Sequence, residues 1–404
     1  MPGCLRTSTV LAAIFCLGTL LSLLRSPLAV AQVYKITDLG TLAGGSSEAY
    51  GLNALGQVVG TSCVDSDCHA FLWTKAGGMQ DLGTLPGGGS YSVATGVNEL
   101  MQVAGSSDFA QPFMGDTHAF LWTTTAGMLD LGTLGCPDIT GANGINSFGQ
   151  IVGTSTIPPC PGGGQYRAFL WSKDSGMQDL GTLPGGSFSL ANGINAFSWV
   201  VGYSGCSNCG GSHPFVWTTS GMQDLGTLPG GTFGAAIGVS DVGAVIGMSD
   251  SAISGADAFL WTARGGMHDL GTLPGGTWSS AYAVNDSGYV VGSADSPTSR
   301  NHGFVLRKNG GASSNTSHAF IWTKRRGMLD LNHLIVPRHS GWVLQSAQGI
   351  NLFGQIAGWG TFNGNTHAFL LTPLPYLRCL TTIQFCQIQS RHVPKCCAFE
   401  LPSE

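Results

Sequence analysis

Short apolar runs separated by Gly, Asn, Pro or Ser recur along the chain in a fixed order. Between His69 and Ser107 they read HAFLW, GMQDLGTL, SVATGVN and MQVAGSS. Runs of this length bounded by turn residues predict β-strands, so each copy predicts four. Asp-Leu-Gly returns at Asp38, Asp81, Asp130, Asp179, Asp224, Asp269 and Asp330, at spacings of 43, 49, 49, 45, 45 and 61 residues. A second pattern, Gly-Ile-Asn-x-x-Gly-Gln-Val-Val-Gly, places its Asn at Asn53, Asn98, Asn146, Asn195, Asn285 and Asn351, with Ser240 in its place once. Two signatures alternating seven times at this period predict the blades of a propeller.

The chain ends support a closed ring. VYKITDLGTL near the start has no HAFLW ahead of it, and the final THAFLLTP has no Asp-Leu-Gly strand after it. The predicted fold is all-β, a seven-bladed β-propeller of four-stranded blades closed by the N-terminal strand, because a ring should leave no open sheet edge. From the axis outwards, each blade should carry strands A (Gly-Ile-Asn), B (Gln-Val-Val-Gly), C (HAFLW) and D (GMxDLGTL). The strand around Ile36 to Leu42 should then pair with the strand from His367 to Leu371. The A-to-B and C-to-D links are hairpin-short and should make one plain face. The variable B-to-C links share the other face with the D-to-A links, and local function is expected there. Between Asp269 and Asp330 two C-like segments occur, HGFVLRKNGG and HAFIW. The first reads as a vestige of an eighth unit, an outer hairpin or loop on blade six.

Composition narrows the class. Only 10% of residues are charged while Gly numbers 62, which predicts a neutral, turn-rich surface. The net charge of -5 without a basic cluster excludes nucleic acid as a partner. Residues 1–31 read as a secretory signal peptide, an apolar run after Arg6 and the small-residue site Ala29-Val30-Ala31. An uncleaved anchor is the rival reading, although Arg25 interrupts the run. Residues 32–373 form the repeat domain, no segment of it long and apolar enough for a membrane span. Residues 374–404 form a Cys-containing tail with no blade pattern. Export would place the chain where disulfides persist. The candidate pairs are Cys63 with Cys68, Cys136 with Cys160, and Cys206 with Cys209; a zinc site at Cys206 and Cys209 is the alternative for the last.

The repeat resembles the bacterial HAF-repeat family of probable extracellular repeat proteins, through the His-Ala-Phe at His69, His118, His318 and His367 and the second signature alternating with it. The match covers about residues 34 to 372. Departures are Arg167, Asp257 and His213-Pro214 in the first motif, Ser240 in the second, and Asn332-His333 after Asp330. The resemblance implies secretion and a repeat fold, and no settled activity.

Little in the chain points to catalysis. The repeat His and Asp residues belong to different blades and cannot converge on one ion; each His is expected to hydrogen-bond the Asp of the next strand, with an Asn or Ser nearby. Trp73, Trp122, Trp171, Trp217, Trp261 and Trp322 should pack between neighbouring sheets. Four Glu and scattered Asp supply no paired carboxylates of the kind a glycosidase needs, no Gly-x-Ser-x-Gly elbow occurs, and Asp65-Ser66-Asp67 lacks the ligands of a full calcium loop. Seven residues before each strand-A Asn stand Ser46, Tyr91, Ile139, Phe188, Phe233, Trp278 and Leu344. Tyr91, Phe188, Phe233 and Trp278 would ring the channel mouth as a stacking platform, or else plug it or pack between blades. The functional expectation is a secreted, non-catalytic, cofactor-free propeller that binds a glycan or protein ligand through its variable-loop face. The alternative is an extracellular polysaccharide lyase or hydrolase acting in the channel.

Overall fold

A computed structural model describes residues 32–109, 117–136, 139–160, 164–207, 210–252, 255–296, 316–338 and 340–375. The signal-peptide and tail segments, HGFVLRKNGG and Cys209 lie outside these residues. Within the unit Met1–Leu374 the described chain is all-β, with seven sheets arranged as a seven-bladed propeller. No helix among the described residues is long and apolar enough to cross a membrane.

The strand order in each blade is A-B-C-D, all antiparallel. In blade two the strands are Ser92–Val97, Val103–Asp108, Thr117–Thr123 and Gly127–Asp130. Blade seven takes its D strand, Tyr34–Asp38, from the N-terminal side of the chain. It pairs with Asn365–Pro373 in the register Ile36↔Leu371, Thr37↔Leu370 and Asp38↔Phe369, and the Leu39 N–H continues the ladder to the Ala368 carbonyl at 3.1 Å. The closure inferred from the two incomplete ends is therefore present. Blade seven also carries a strand the sequence did not reveal: Ile335–Val336 pairs in parallel with Tyr34 and Lys35 on its outer edge.

The signatures have separate jobs. In His-Ala-Phe, the Phe is fully buried in every blade, from Phe71 to Phe369, opposite the Gly of strand B. At Gly105 a Cβ would overlap the Val93 carbonyl oxygen of strand A, so this position admits only Gly. In Asp-Leu-Gly, the Leu is buried, the Gly is left-handed (Gly83 φ 72°), and the Asp81 carboxylate accepts the Gly83 N–H at 2.8 Å, turning the chain towards the next blade. After Asp330, Asn332 replaces that Gly. The segment Leu331–His333 forms a 3-10 turn instead, with the buried Asn332 side chain bonded to both backbone groups of Leu344. The core lies between blades: Trp122 and Phe120 of blade two pack with Val59, Ala70 and Leu72 of blade one, the inter-sheet position expected for the repeated Trp.

Candidate functional site

Strand A lines the axis, and at six of the seven A-to-B turns an Asn knits the ring together. The buried Asn98 is typical: its Oδ1 accepts the N–H groups of Leu100 (3.1 Å) and Gln102 (3.0 Å), and its Nδ2 donates to Gln102 Oε1 (2.8 Å) and to the Asn146 carbonyl of the next blade (3.1 Å). All four hydrogen-bonding sites of the amide are used. The belt runs through Asn53, Asn98, Asn146 and Asn195 to Ser240, and from Asn285 through Asn351 back to Asn53. Where Ser240 lacks the amide, the Asp241 N–H donates to Asp286 Oδ1 across the same seam, at 2.9 Å.

A bulge in strand A shapes the channel. Pairing shifts register between Ala49 and Gly51, Ala94 and Gly96, Ala142 and Gly144, and at the equivalent points of the other blades. A bulge redirects the extra residue, and Tyr50, Thr95, Asn143, Asn192, Tyr282 and Gln348 accordingly line a channel segment of about 230 Å³. Thr95, Asn143 and Asn192 donate to the carbonyls of Ala142, Ala191 and Ala236 in the following blades, a second inter-blade belt. In blade one, Tyr50 donates to Glu48 at 2.5 Å. Burial, the Glu48 bond and the Glu48 charge all hold the Tyr50 phenol protonated well above its ordinary range.

The aromatic positions before strand A do not ring this channel. Tyr91 pairs as a parallel bridge with Cys68, Ile139 with Thr117 and Phe233 with Ser212, each partner being on strand C of the preceding blade. Strand C is third from the axis, so the D-to-A link reaches strand A by way of the seam between blades rather than over the channel. An Asp that ends strand B fixes the link: the N–H groups of Tyr91, Phe233 and Trp278 donate to Asp108, Asp250 and Asp295 at 3.2, 2.8 and 2.7 Å. Of the four aromatics, Phe188 and Phe233 are brought together, through Tyr203 of strand B: its ring meets theirs edge-on at 6.2 and 6.4 Å. Tyr91 and Trp278 occupy other seams. Tyr91 and Phe233 are exposed, Phe188 and Trp278 half-buried, and Leu344 fully buried. Beside the cluster, exposed Tyr166 precedes Arg167, whose guanidinium donates to the Ser187 carbonyl at 2.7 Å. Tyr203 escaped the sequence reading because it breaks no repeat rule: the same strand-B position holds Thr61, Ser106, Thr154, Met248 and Ser293 in other blades, and Trp359 in blade seven.

Disulfides brace the variable-loop face. Cys63 and Cys68 bridge directly opposed strand positions around the two-residue Asp65-Ser66 turn, and Cys136 to Cys160 ties a D-to-A link to a B-to-C link. Cys206, His213 and Asp224 come within ligand distance of one another, but the Cys206 sulfur is in a disulfide and is not a thiolate ligand. The repeat His residues pair as anticipated: His69 with Asp81 at 2.9 Å, His118 with Asp130 at 2.8 Å, His213 with Asp224 at 2.9 Å, His318 with Asp330 at 2.7 Å, and His367 with Asp38 across the closure at 3.0 Å. Arg167 stands 3.9 Å from Asp179 in the same role. The nearby hydroxyl belongs to the next blade: Ser92 accepts the Ala70 N–H at 2.8 Å and donates to the Gly83 carbonyl at 2.6 Å.

No family model matches the chain, and no curated protein matches it. Among solved structures it is similar to an oligogalacturonate lyase in complex with manganese, at 9% identity and a TM-score of 0.48 over 85% of this chain and 97% of that one. It is also similar to a gluconolactonase from Xanthomonas campestris, at 11% identity and a TM-score of 0.41 over 87% and 93%. A third similarity is to the β-propeller domain of the Trilobed protease from Pyrococcus furiosus, at 9% identity and a TM-score of 0.34 over 75% and 97%. Likeness at this level carries no information about what this chain binds or does.

Proposed function

We propose that this is an exported repeat protein of the HAF type that binds a neutral glycan, without catalysis, in the seams of its variable-loop face. The observation that carries the reading is the Phe188–Tyr203–Phe233 cluster spanning blades four and five, with Tyr166 and Arg167 beside it. Aromatic rings stack on the apolar faces of sugars, and a guanidinium donates to hydroxyls, so the surface suits a ligand without charge. Disulfides on the same face keep the loops in place, as suits a chain working in an oxidising compartment.

A glycan array with the purified protein would identify the ligand class, followed by calorimetric titration of variants. Tyr203→Ala and Phe233→Ala should each weaken binding by about fivefold or more, since one buried ring contact is worth roughly 1 kcal/mol or more. Tyr91→Ala, in a distant seam, should bind as the parent does. Equal binding by all three folded variants would rule the seam out. The lyase or hydrolase reading rests on Glu48, bonded to Tyr50 of the channel wall. There the partner of the carboxylate is a phenol, whereas a hydrolase of the two-carboxylate kind needs a second acid a few ångströms away. Polysaccharide cleavage abolished by Glu48→Gln would establish that reading instead.

A further inference from the structure

The A-to-B and C-to-D face, plain in the sequence, is an apolar crown. Two residues after each belt Asn or Ser stand Leu55, Leu100, Phe148, Phe197, Val242 and Phe353, each between 67% and 74% exposed. The position follows from the belt. Because Asn98 Oδ1 takes the Leu100 N–H, and Asn53, Asn146, Asn195 and Asn351 do the same for Leu55, Phe148, Phe197 and Phe353, the backbone of the turn is clamped inwards and the side chain is left exposed. The turn does not need an apolar residue there, since Ser287 fills the same position in blade six. Six of seven tips thus carry large apolar side chains that fold stability does not explain.

Basic turns flank the crown at blades one, three, five and six. Lys75, Lys173, Arg264, Lys324, Arg325 and Arg326 sit on the C-to-D turns of this face, six of the nine Lys and Arg among the described residues. That both kinds of turn share one surface is shown by a cleft of about 530 Å³ bounded by Phe148 and Phe197 on one side and Ser172, Lys173 and Asp174 on the other. The acidic residues of these turns are Glu99, Asp174, Asp241 and Asp286, so six cations stand against four anions, a net +2. Glu99, Asp241 and Asp286 lie at the channel mouth, where each accepts a backbone N–H of the preceding turn. The seven Asp-Leu-Gly carboxylates end strand D at the opposite face. Charge is therefore polarised between the two faces of the propeller, cations outermost on the apolar side.

We propose that this face docks on an anionic lipid surface, the tips entering the interfacial region and the basic turns meeting the headgroups. The ring repeats its tips about one axis, so they share a plane and meet a flat surface together. A fluid interface moulds itself round protruding side chains, whereas a folded partner would need six matching pockets. Two copies meeting through this face would set basic turns against basic turns. Apolar insertion combined with basic residues is the pairing that holds proteins at an anionic interface without a membrane span.

The test is co-sedimentation of the full chain with phosphatidylcholine vesicles, with and without about one third phosphatidylglycerol. The parent is compared with Leu100→Ser/Phe148→Ser/Phe197→Ser, which uses the residue already at position 287, and with Lys324→Glu/Arg325→Glu. Residues 1–31 are common to all three, so only differences between them count. The parent should bind anionic vesicles about tenfold or more above neutral ones, and the triple variant should lose about tenfold while keeping the parent's melting temperature. The charge variant should lose binding at low salt and match the parent at high salt. Equal sedimentation of parent and triple variant overturns the proposal. So does a parent that ignores vesicles but self-associates in light scattering through the same tips, which would assign the crown to contacts between copies.

Discussion

Single side chains account for the ring. Asn98 fills all its hydrogen bonds from within and across a blade, so Asn98→Ala should cost about 2 to 4 kcal/mol by urea unfolding, leaving buried N–H and C=O groups without partners. Ser240 is the natural counterpart, and Ser240→Asn should raise stability by about 0.5 to 1 kcal/mol by adding the amide missing from the belt. A destabilised Ser240→Asn would mean that the Asp241–Asp286 contact excludes it. Acid behaviour belongs to the same scale. Burial pushes the carboxyls of Asp130 and Asp330 up, but the bonds from His118 and His318, with those from Gly132 and Asn332, outweigh it and hold both below the usual range. Stability from a depressed carboxylate is complete above the unfolded pKa, about 4, and is lost as pH falls through the folded value. Chemical unfolding between pH 7 and pH 2 should show that loss, and Asp330→Asn should lower stability at neutral pH while flattening the acid fall. An unchanged slope in the variant would assign the acid sensitivity elsewhere.

At the level of elements, the period of two signatures was enough to place every blade strand and the N-terminal closure. It could not give radius. Tyr91 and Phe233 sit at the sequence position foreseen, yet their bridges to strand C put them in the seams, because a repeat says how often the chain returns and not by which route a link crosses the sheet. Ile335–Val336 was invisible for a related reason: two residues leave no periodicity to read. The exposed tips were missed because an apolar residue in a turn looks the same in sequence whether it packs inwards or projects. Where sequence and structure both bear on local pairing they agree, as for the disulfides. A non-reducing peptide map should recover Cys63 with Cys68 and Cys136 with Cys160. Replacing Cys136 and Cys160 by Ala should cost roughly 3 kcal/mol, given the length of the loop closed; four free thiols in protein purified without reductant would contradict the pairing.

The propeller as a whole carries three distinct surfaces: aromatic seams on the disulfide-braced face, a polar channel lined by Tyr50 with Glu48 bonded to it, and an apolar crown with basic turns. Hydrogen–deuterium exchange of the protein with and without a glycan selected on the array tests the proposed assignment most directly, since it reports on all three surfaces at once. The account predicts slowed exchange around residues 165–168, 187–190, 203–206 and 233–236, with the strand-A segments at Glu48–Tyr50 and Tyr282 and the turns at Phe148 and Phe197 unchanged. Protection confined to the channel segments would contradict it, and would make the axis, not the seams, the place where this protein meets its ligand.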